Sequence, residues 1–231
     1  MTPYASGKRW ALYGADCADV VGSIAEIDAV IGDPPFGMDW DVDSSRYSGG
    51  QKGHARGPGG ARVAIPIVER LPVANDDRPF DPAPWLDFPA VVLFGSNHFG
   101  ARLPVGTTLV WLKRNPAAFG TFLSDGEIAW MKGGHGVYAY LEPFTTPDRE
   151  HPNQKPTGLL SWCMERAKVP ADGLVFDGWA GSGSCGVAAL RSGRRYVGCE
   201  IEPAYLPIAA RRLAQAEADG VPQSLFATVP T

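Results

Sequence analysis

Leu174-Val175-Phe176-Asp177-Gly178-Trp179-Ala180-Gly181-Ser182-Gly183-Ser184 is the stretch that decides how this chain folds. A short apolar run ends in an acid, a glycine-rich turn follows, and the next residues read as a helix ending at Gly193. Gly181 and Gly183 let the backbone turn tightly and approach a ligand, while the free N–H groups of the helix point at the same place. Glu200 closes the following apolar run, about 20 positions beyond the turn, where a carboxylate can accept hydrogen bonds from ribose hydroxyls. A full G-x-G-x-x-G and a Walker lysine are both missing, which argues against a dinucleotide or a nucleoside triphosphate. Taken alone, the turn reads equally as a plain helix entry with Glu200 a solvated strand end.

Working outward, further apolar runs recur at Trp10–Tyr13, Ala29–Ile31, Ala90–Phe94, Thr108–Leu112, Ile128–Met131 and Tyr196–Cys199, beside Leu174–Phe176 itself. Near-continuous apolar strands suit a sheet covered on both faces, so the expected fold is α/β, a seven-stranded, mostly parallel sheet with helices on both faces. Helices are expected from a Thr157 cap to about Lys168, from Gly183 to Gly193, and from Pro203 to near Gly220. With 231 residues, 45% hydrophobic and 20% charged, the chain suits one well-buried domain spanning 1–231. The segment 41–78 breaks the rhythm; rich in glycine and nearly free of acids after Asp43, it reads as a long flexible loop insertion.

Composition excludes several classes. Net charge is −4, so any basic footprint for nucleic acid must be local. Cys17, Cys163, Cys185 and Cys199 form no C-x-x-C pair, and His54, His98, His135 and His151 have no metal-like spacing, so no metal is expected. The cysteines read as reduced thiols of a cytoplasmic protein, and no apolar stretch approaches the roughly 18 residues needed to span a bilayer.

Three other segments carry candidate chemistry. Asp33-Pro34-Pro35-Phe36 follows the run Ala29–Ile31; the prolines stiffen the turn, and Phe36 offers a flat face for stacking. Its bland reading is a proline turn with a core Phe. His151-Pro152-Asn153-Gln154-Lys155-Pro156-Thr157 reads as a loop and helix cap, and in Leu12-Tyr13-Gly14-Ala15-Asp16-Cys17 the acid reads as an N-cap.

Together these segments resemble the beta class of S-adenosylmethionine-dependent DNA methyltransferases, which modify the exocyclic amine of adenine at N6 or of cytosine at N4. The similarity runs from Trp10 to about Leu213 and is most continuous from Val175 to Leu213, with Phe94–Phe99 and Trp111–Asn115 included. The family usually has Pro-Phe in place of Gly178-Trp179, Thr in place of Ser184 and Tyr in place of Phe36. The resemblance implies a Rossmann-like methyltransferase fold with circularly permuted motif order, the catalytic segment first and the glycine-rich segment last.

It also implies roles. Asp33, Pro34, Pro35 and Phe36 become the catalytic segment: Asp33 and the Pro34 carbonyl accept the amine hydrogens, and Phe36 stacks the flipped base. Asp16, Cys17, Asp33, Lys155, Asp177, Gly181, Ser182, Gly183 and Glu200 become the residues that hold S-adenosylmethionine, with Lys155 near its carboxylate. Aspartate before Pro-Pro leans towards adenine-N6, with cytosine-N4 the nearest alternative; a catalytically lost DNA-binding subunit and an enzyme for protein glutamine or RNA amines stay open. Double-stranded DNA is the implied partner, in a prokaryotic or phage-infected cell, with a homodimer common among relatives. Arg46, Lys52, Arg56 and Arg62, beside His54, with Lys113 and Arg114 at a strand end, are the candidate phosphate contacts.

Overall fold

The apolar runs become strands, which the computed structural model extends by two at the edges. It describes residues 1–38, 54–56, 62–64, 74–121, 124–143 and 154–221. In chain order the strands are β1 (Ala5–Ser6), β2 (Trp10–Tyr13), β3 (Ala29–Gly32), β4 (His54–Arg56), β5 (Arg62–Ala64), β6 (Ala90–Phe94), β7 (Thr107–Leu112), β8 (Gly126–Met131), β9 (Val137–Leu141), β10 (Leu174–Asp177) and β11 (Arg195–Cys199). The helices are α1 (Cys17–Val21), α2 (Thr157–Arg166), α3 (Ser184–Arg191) and α4 (Leu206–Asp219).

The chain divides into two compact units, one of Met1–Pro34 with Phe80–Thr231, the other Pro35–Pro79. The first unit holds a nine-stranded sheet in the order β1-β2-β11-β10-β3-β6-β8-β7-β9. All seven expected strands form, and β1 and β9 add one at each edge. Neighbours from β2 through β11, β10 and β3 to β6 are parallel, whereas β8 runs antiparallel to both β6 and β7, so the sheet is mixed.

Packing follows the alternation of side chains across the sheet. One row, including Leu12, Ile31, Val92, Phe94, Leu109, Val175 and Tyr196, joins a buried cluster with Leu159, Cys163, Val187, Leu190 and Leu213 of α2, α3 and α4. The opposite row, with Val30, Val91, Leu93, Phe176 and Val197, is buried as well. There the cover includes Trp85, from the short 3-10 turn Ala83–Trp85, its ring stacked on Phe176 at 6.0 Å.

Helix ends depart from the expected bounds. Pro156, not Thr157, holds the N-cap position of α2, and the helix stops at Arg166 because Lys168 turns left-handed (φ 55°) ahead of Pro170. Pro203 lies in a turn; α4 begins three residues later, with Pro207 in its first turn, where a missing N–H costs nothing. No helix among the described residues is long and apolar enough to cross a membrane.

In the second unit β4 pairs antiparallel with β5. At its ends, Oδ1 of the buried Asp76 accepts from the backbone N–H groups of Phe36, Gly37 and Met38 at 2.9, 2.8 and 3.2 Å. Gly37 has φ 76°, and a Cβ there would lie 2.4 Å from the Arg78 carbonyl oxygen, so only glycine fits.

Candidate active site

Strand order dictates where a ligand fits. The chain leaving β10 goes to β11 on one side, and the chain leaving β3 goes to β6 on the other, so a crevice opens at the carboxyl ends of β3 and β10. Asp33 follows β3 and Asp177 ends β10, which brings the two expected segments to one edge. Because β8 runs the other way, its first residues, Gly126 and Glu127, lie at that edge too.

Asp33 has two unlike oxygens. Oδ2 accepts from the Lys155 ammonium at 2.6 Å, whereas Oδ1 is shielded from solvent and has no hydrogen-bond partner among the described residues. Lys155 is buried, 7% exposed; its Nζ also donates to Glu127 Oε2 at 3.2 Å and lies 4.8 Å from the centre of the Phe94 ring. Glu127 is held from the other side by Lys113, whose Nζ donates to Oε1 at 2.9 Å. Burial pushes the Asp33 carboxyl up, against the pull of Lys155. Burial also opposes the Lys155 charge, but Asp33 and Glu127 outweigh it and hold the ammonium protonated. At Glu127 the two lysines overcome burial and keep the carboxyl low. The Lys155 ammonium is thus directed at two carboxylates of the chain itself.

The glycine-rich turn is built from backbone hydrogen bonds. Gly181 (φ 51°) and Gly183 (φ 76°) take left-handed conformations that admit glycine most easily, and α3 starts directly after them. Glu200 Oε2 accepts from the Gly181 N–H at 2.6 Å and Oε1 from the Glu202 N–H at 2.7 Å, which ties the acid to the turn. Asp177 is buried; Oδ1 accepts from the Trp179 N–H at 3.0 Å and Oδ2 from the Tyr196 hydroxyl at 3.2 Å. Burial pushes its carboxyl up to about 7, and burial also raises Glu200. Behind the turn, Arg212 donates to the Ser182 carbonyl and hydroxyl at 2.6 and 2.7 Å and to the Ser184 hydroxyl at 3.1 Å.

Trp179 lies across β3: a Cβ on Gly32 would fall 2.6 Å from its ring, so glycine is what lets the indole approach the strand that carries Asp33. The indole meets Trp85 and Phe80 edge-on at 5.1 and 5.4 Å. Asp16 caps α1, its Oδ1 accepting from the Ala18 N–H at 3.0 Å. Cys17 packs against Gly178, where a Cβ would lie 3.0 Å from the Cys17 Cβ; burial, helped by Asp16, pushes its thiol up to about 12. A thiol so protonated is a packing group and no nucleophile.

Pro34 belongs to the first unit, Pro35 and Phe36 to the second. Lys113 and Arg114 both have acidic partners, Glu127 and Asp125, the latter at 3.8 Å. Arg56 and Arg62 fall in β4 and β5, with His54; Arg46 and Lys52 lie outside the described residues, as do residues 41–53, 57–61 and 65–73 of the expected insertion. Glu127, Asp76, Tyr196 and Arg212 were not foreseen from the sequence, since each acts on a partner distant in the chain.

Residues 129–211 match the model of a DNA methylase family, the N6/N4 methylases. That stretch of the chain is similar to this family. DNA adenine methyltransferase YhdJ of Escherichia coli K12 is 41% identical over 63 residues, which cover 27% of this chain and 21% of that protein. Matched segments span only 21 to 29% of the lengths of such curated relatives. Among solved structures, the chain superposes on M1.HpyAVI in complex with SAM with a TM-score of 0.55 at 16% identity, over 88% of this chain and 98% of that one. PvuII DNA methyltransferase, described as cytosine-N4-specific, gives a TM-score of 0.57 at 14% identity, over 91% of this chain and 88% of that one. At such identities these two likenesses establish the methyltransferase fold.

Proposed function

We propose that this chain is an S-adenosylmethionine-dependent DNA methyltransferase that transfers a methyl group to the exocyclic N6 amine of an adenine flipped out of double-stranded DNA. The observation that carries the reading is Asp33 Oδ1, a shielded acceptor with no partner among the described residues, at the sheet edge beside the glycine-rich turn. An exocyclic amine is a poor nucleophile because its lone pair is delocalised into the ring. A fixed carboxylate oxygen that accepts one N–H localises the lone pair on nitrogen and stabilises positive charge developing there. The Pro34 carbonyl is the natural acceptor for the second hydrogen, and Phe36 the stacking surface.

The residues at the edge suit the cofactor. Its sulfonium supplies the electrophilic methyl group when bound. The left-handed glycines make room for it, Glu200 is an acceptor for ribose hydroxyls, and Asp16 retains a second oxygen for an adenine amino group. Arg212 adds positive charge behind Ser182 and Ser184, favourable to a carboxylate. Adenine is preferred because Asp stands before Pro-Pro and because the matched curated relative YhdJ is an adenine methyltransferase. The order of segments, Asp33 before the glycine-rich turn, we read as the circular permutation of the beta class.

The test is mass spectrometry of nucleosides from unmethylated genomic DNA incubated with the protein and S-adenosylmethionine. N6-methyladenine is expected, and Asp33→Ala should abolish it, since the group it removes acts on the amine. N4-methylcytosine would keep the mechanism and change the base. Cofactor binding without a modified nucleoside would overturn the catalytic reading.

A further inference from the structure

We infer that Glu127 is a positioning residue of the transfer site: by sharing the Lys155 ammonium with Asp33, it keeps that ammonium on Oδ2 and leaves Oδ1 to the reacting amine. The inference rests on the reading under Proposed function and assigns to it a residue outside the segments that suggested that reading.

The geometry is a chain of alternating charge across four elements. Lys113 follows β7, Glu127 is the second residue of β8, Lys155 precedes α2, and Asp33 follows β3. The links are 2.9, 3.2 and 2.6 Å, and the formal charges sum to zero. Both Glu127 oxygens are engaged, Oε1 by Lys113 and Oε2 by Lys155, so the carboxylate is fixed from two sides. An ammonium has three N–H donors. Here one goes to Asp33 and one to Glu127, while the Phe94 ring lies beneath the nitrogen. Were Glu127 uncharged, Lys155 would be drawn wholly onto Asp33, able to cover Oδ1 as well. A carboxylate so neutralised is a weaker acceptor for the amine.

The charged groups that bear on Asp33 are Lys155, Glu127, both by its own charge and by its hold on that lysine, and Asp177 at the end of β10. The sign of a pH effect follows. Glu127 opposes ionisation of Asp33 and Lys155 favours it, so removal of the Glu127 charge eases ionisation of Asp33. A Glu127 that acted on Asp33 by charge alone would move the limb without lowering the plateau of kcat, so the two readouts together separate positioning from proximity.

The experiment is the pH profile of kcat with S-adenosylmethionine and DNA for wild type, Glu127→Gln, Glu127→Asp and Lys113→Gln. Glu127→Gln should lower kcat roughly tenfold, the factor carried by one pKa unit, with KM for DNA and cofactor affinity unchanged and the acidic limb moved to lower pH. Glu127→Asp should restore the position of that limb. Lys113→Gln frees Glu127 to pull harder on Lys155 and should move the limb to higher pH, which carries the test even if Glu127→Gln does not fold. A limb that stays put or rises in Glu127→Gln, a plateau of kcat that does not fall in that variant, or a limb that does not move in Lys113→Gln, would overturn the inference. A wild-type protein that methylates no base would instead overturn the proposed function.

Discussion

Asp177 is a carboxyl placed where ionisation is costly. In the unfolded chain it titrates near 3.8; in the fold burial pushes it up to about 7, despite bonds from Trp179 and Tyr196. The folded protein therefore holds a proton that the unfolded chain has released between those two values. Its contribution is complete below about 3.8 and is lost as the pH rises through about 7, at roughly 1.4 kcal/mol per pH unit within the window. Asp177→Asn should flatten this part of the stability curve, read as urea midpoints at pH 5, 6 and 7 against wild type; parallel curves for the two proteins would refute it. At this scale the sequence was informative wherever function is local. Asp33, Gly181, Gly183 and Glu200 were legible because a turn or strand end of a few residues defines each. Glu127 was not, since nothing near Asp125-Gly126-Glu127 points to a lysine 28 positions on. The Lys155 ammonium was expected beside the cofactor, and only the sheet reveals the two carboxylates that hold it.

Among the elements, α4 shows how the helix layer holds the turn in place. Its Leu213 is fully buried against α3 and the sheet, and a Cβ on Gly186 of α3 would lie 2.3 Å from the Leu213 side chain and 2.6 Å from Tyr196. The helices meet at a glycine, close enough that the Leu213 side chain fills the gap. Leu213→Ala should therefore cost about 2–5 kcal/mol with little change in the urea m-value, measured by equilibrium unfolding. A loss under about 1 kcal/mol would mean that α3 and α4 close over the gap. Of the seven central strands, β3, β6, β10 and β11 were the most legible, because burial on both faces writes an apolar run into the sequence. The edge strands were not. β1 has two residues, too few for any period, and β9 is largely exposed, with Val137 and Leu141 at 70% and 50%.

For the molecule as a whole, net charge −4 leaves binding to a polyanion to local features. Lys113 and Arg114 are already matched by acids, so phosphate binding is expected chiefly from Arg46, Lys52, Arg56 and Arg62. Replacing all four by Gln should weaken DNA binding and reduce the slope of log K against log salt by up to about 3.6, at roughly 0.9 for each phosphate that is no longer neutralised. Fluorescence anisotropy at several salt concentrations checks it, and an unchanged slope would place the phosphate-binding residues elsewhere. Asp76 has a different consequence. One Asp76 oxygen gathers the amides of Phe36, Gly37 and Met38, so a knot at Asp76 ties together the two ends of the interval between positions 38 and 76. Doubling the length of such an interval costs only about 0.6 kcal/mol of closure entropy. The interval is in that sense an exchangeable cassette, open to insertion, deletion and wholesale replacement over evolutionary time while the knot stays tied.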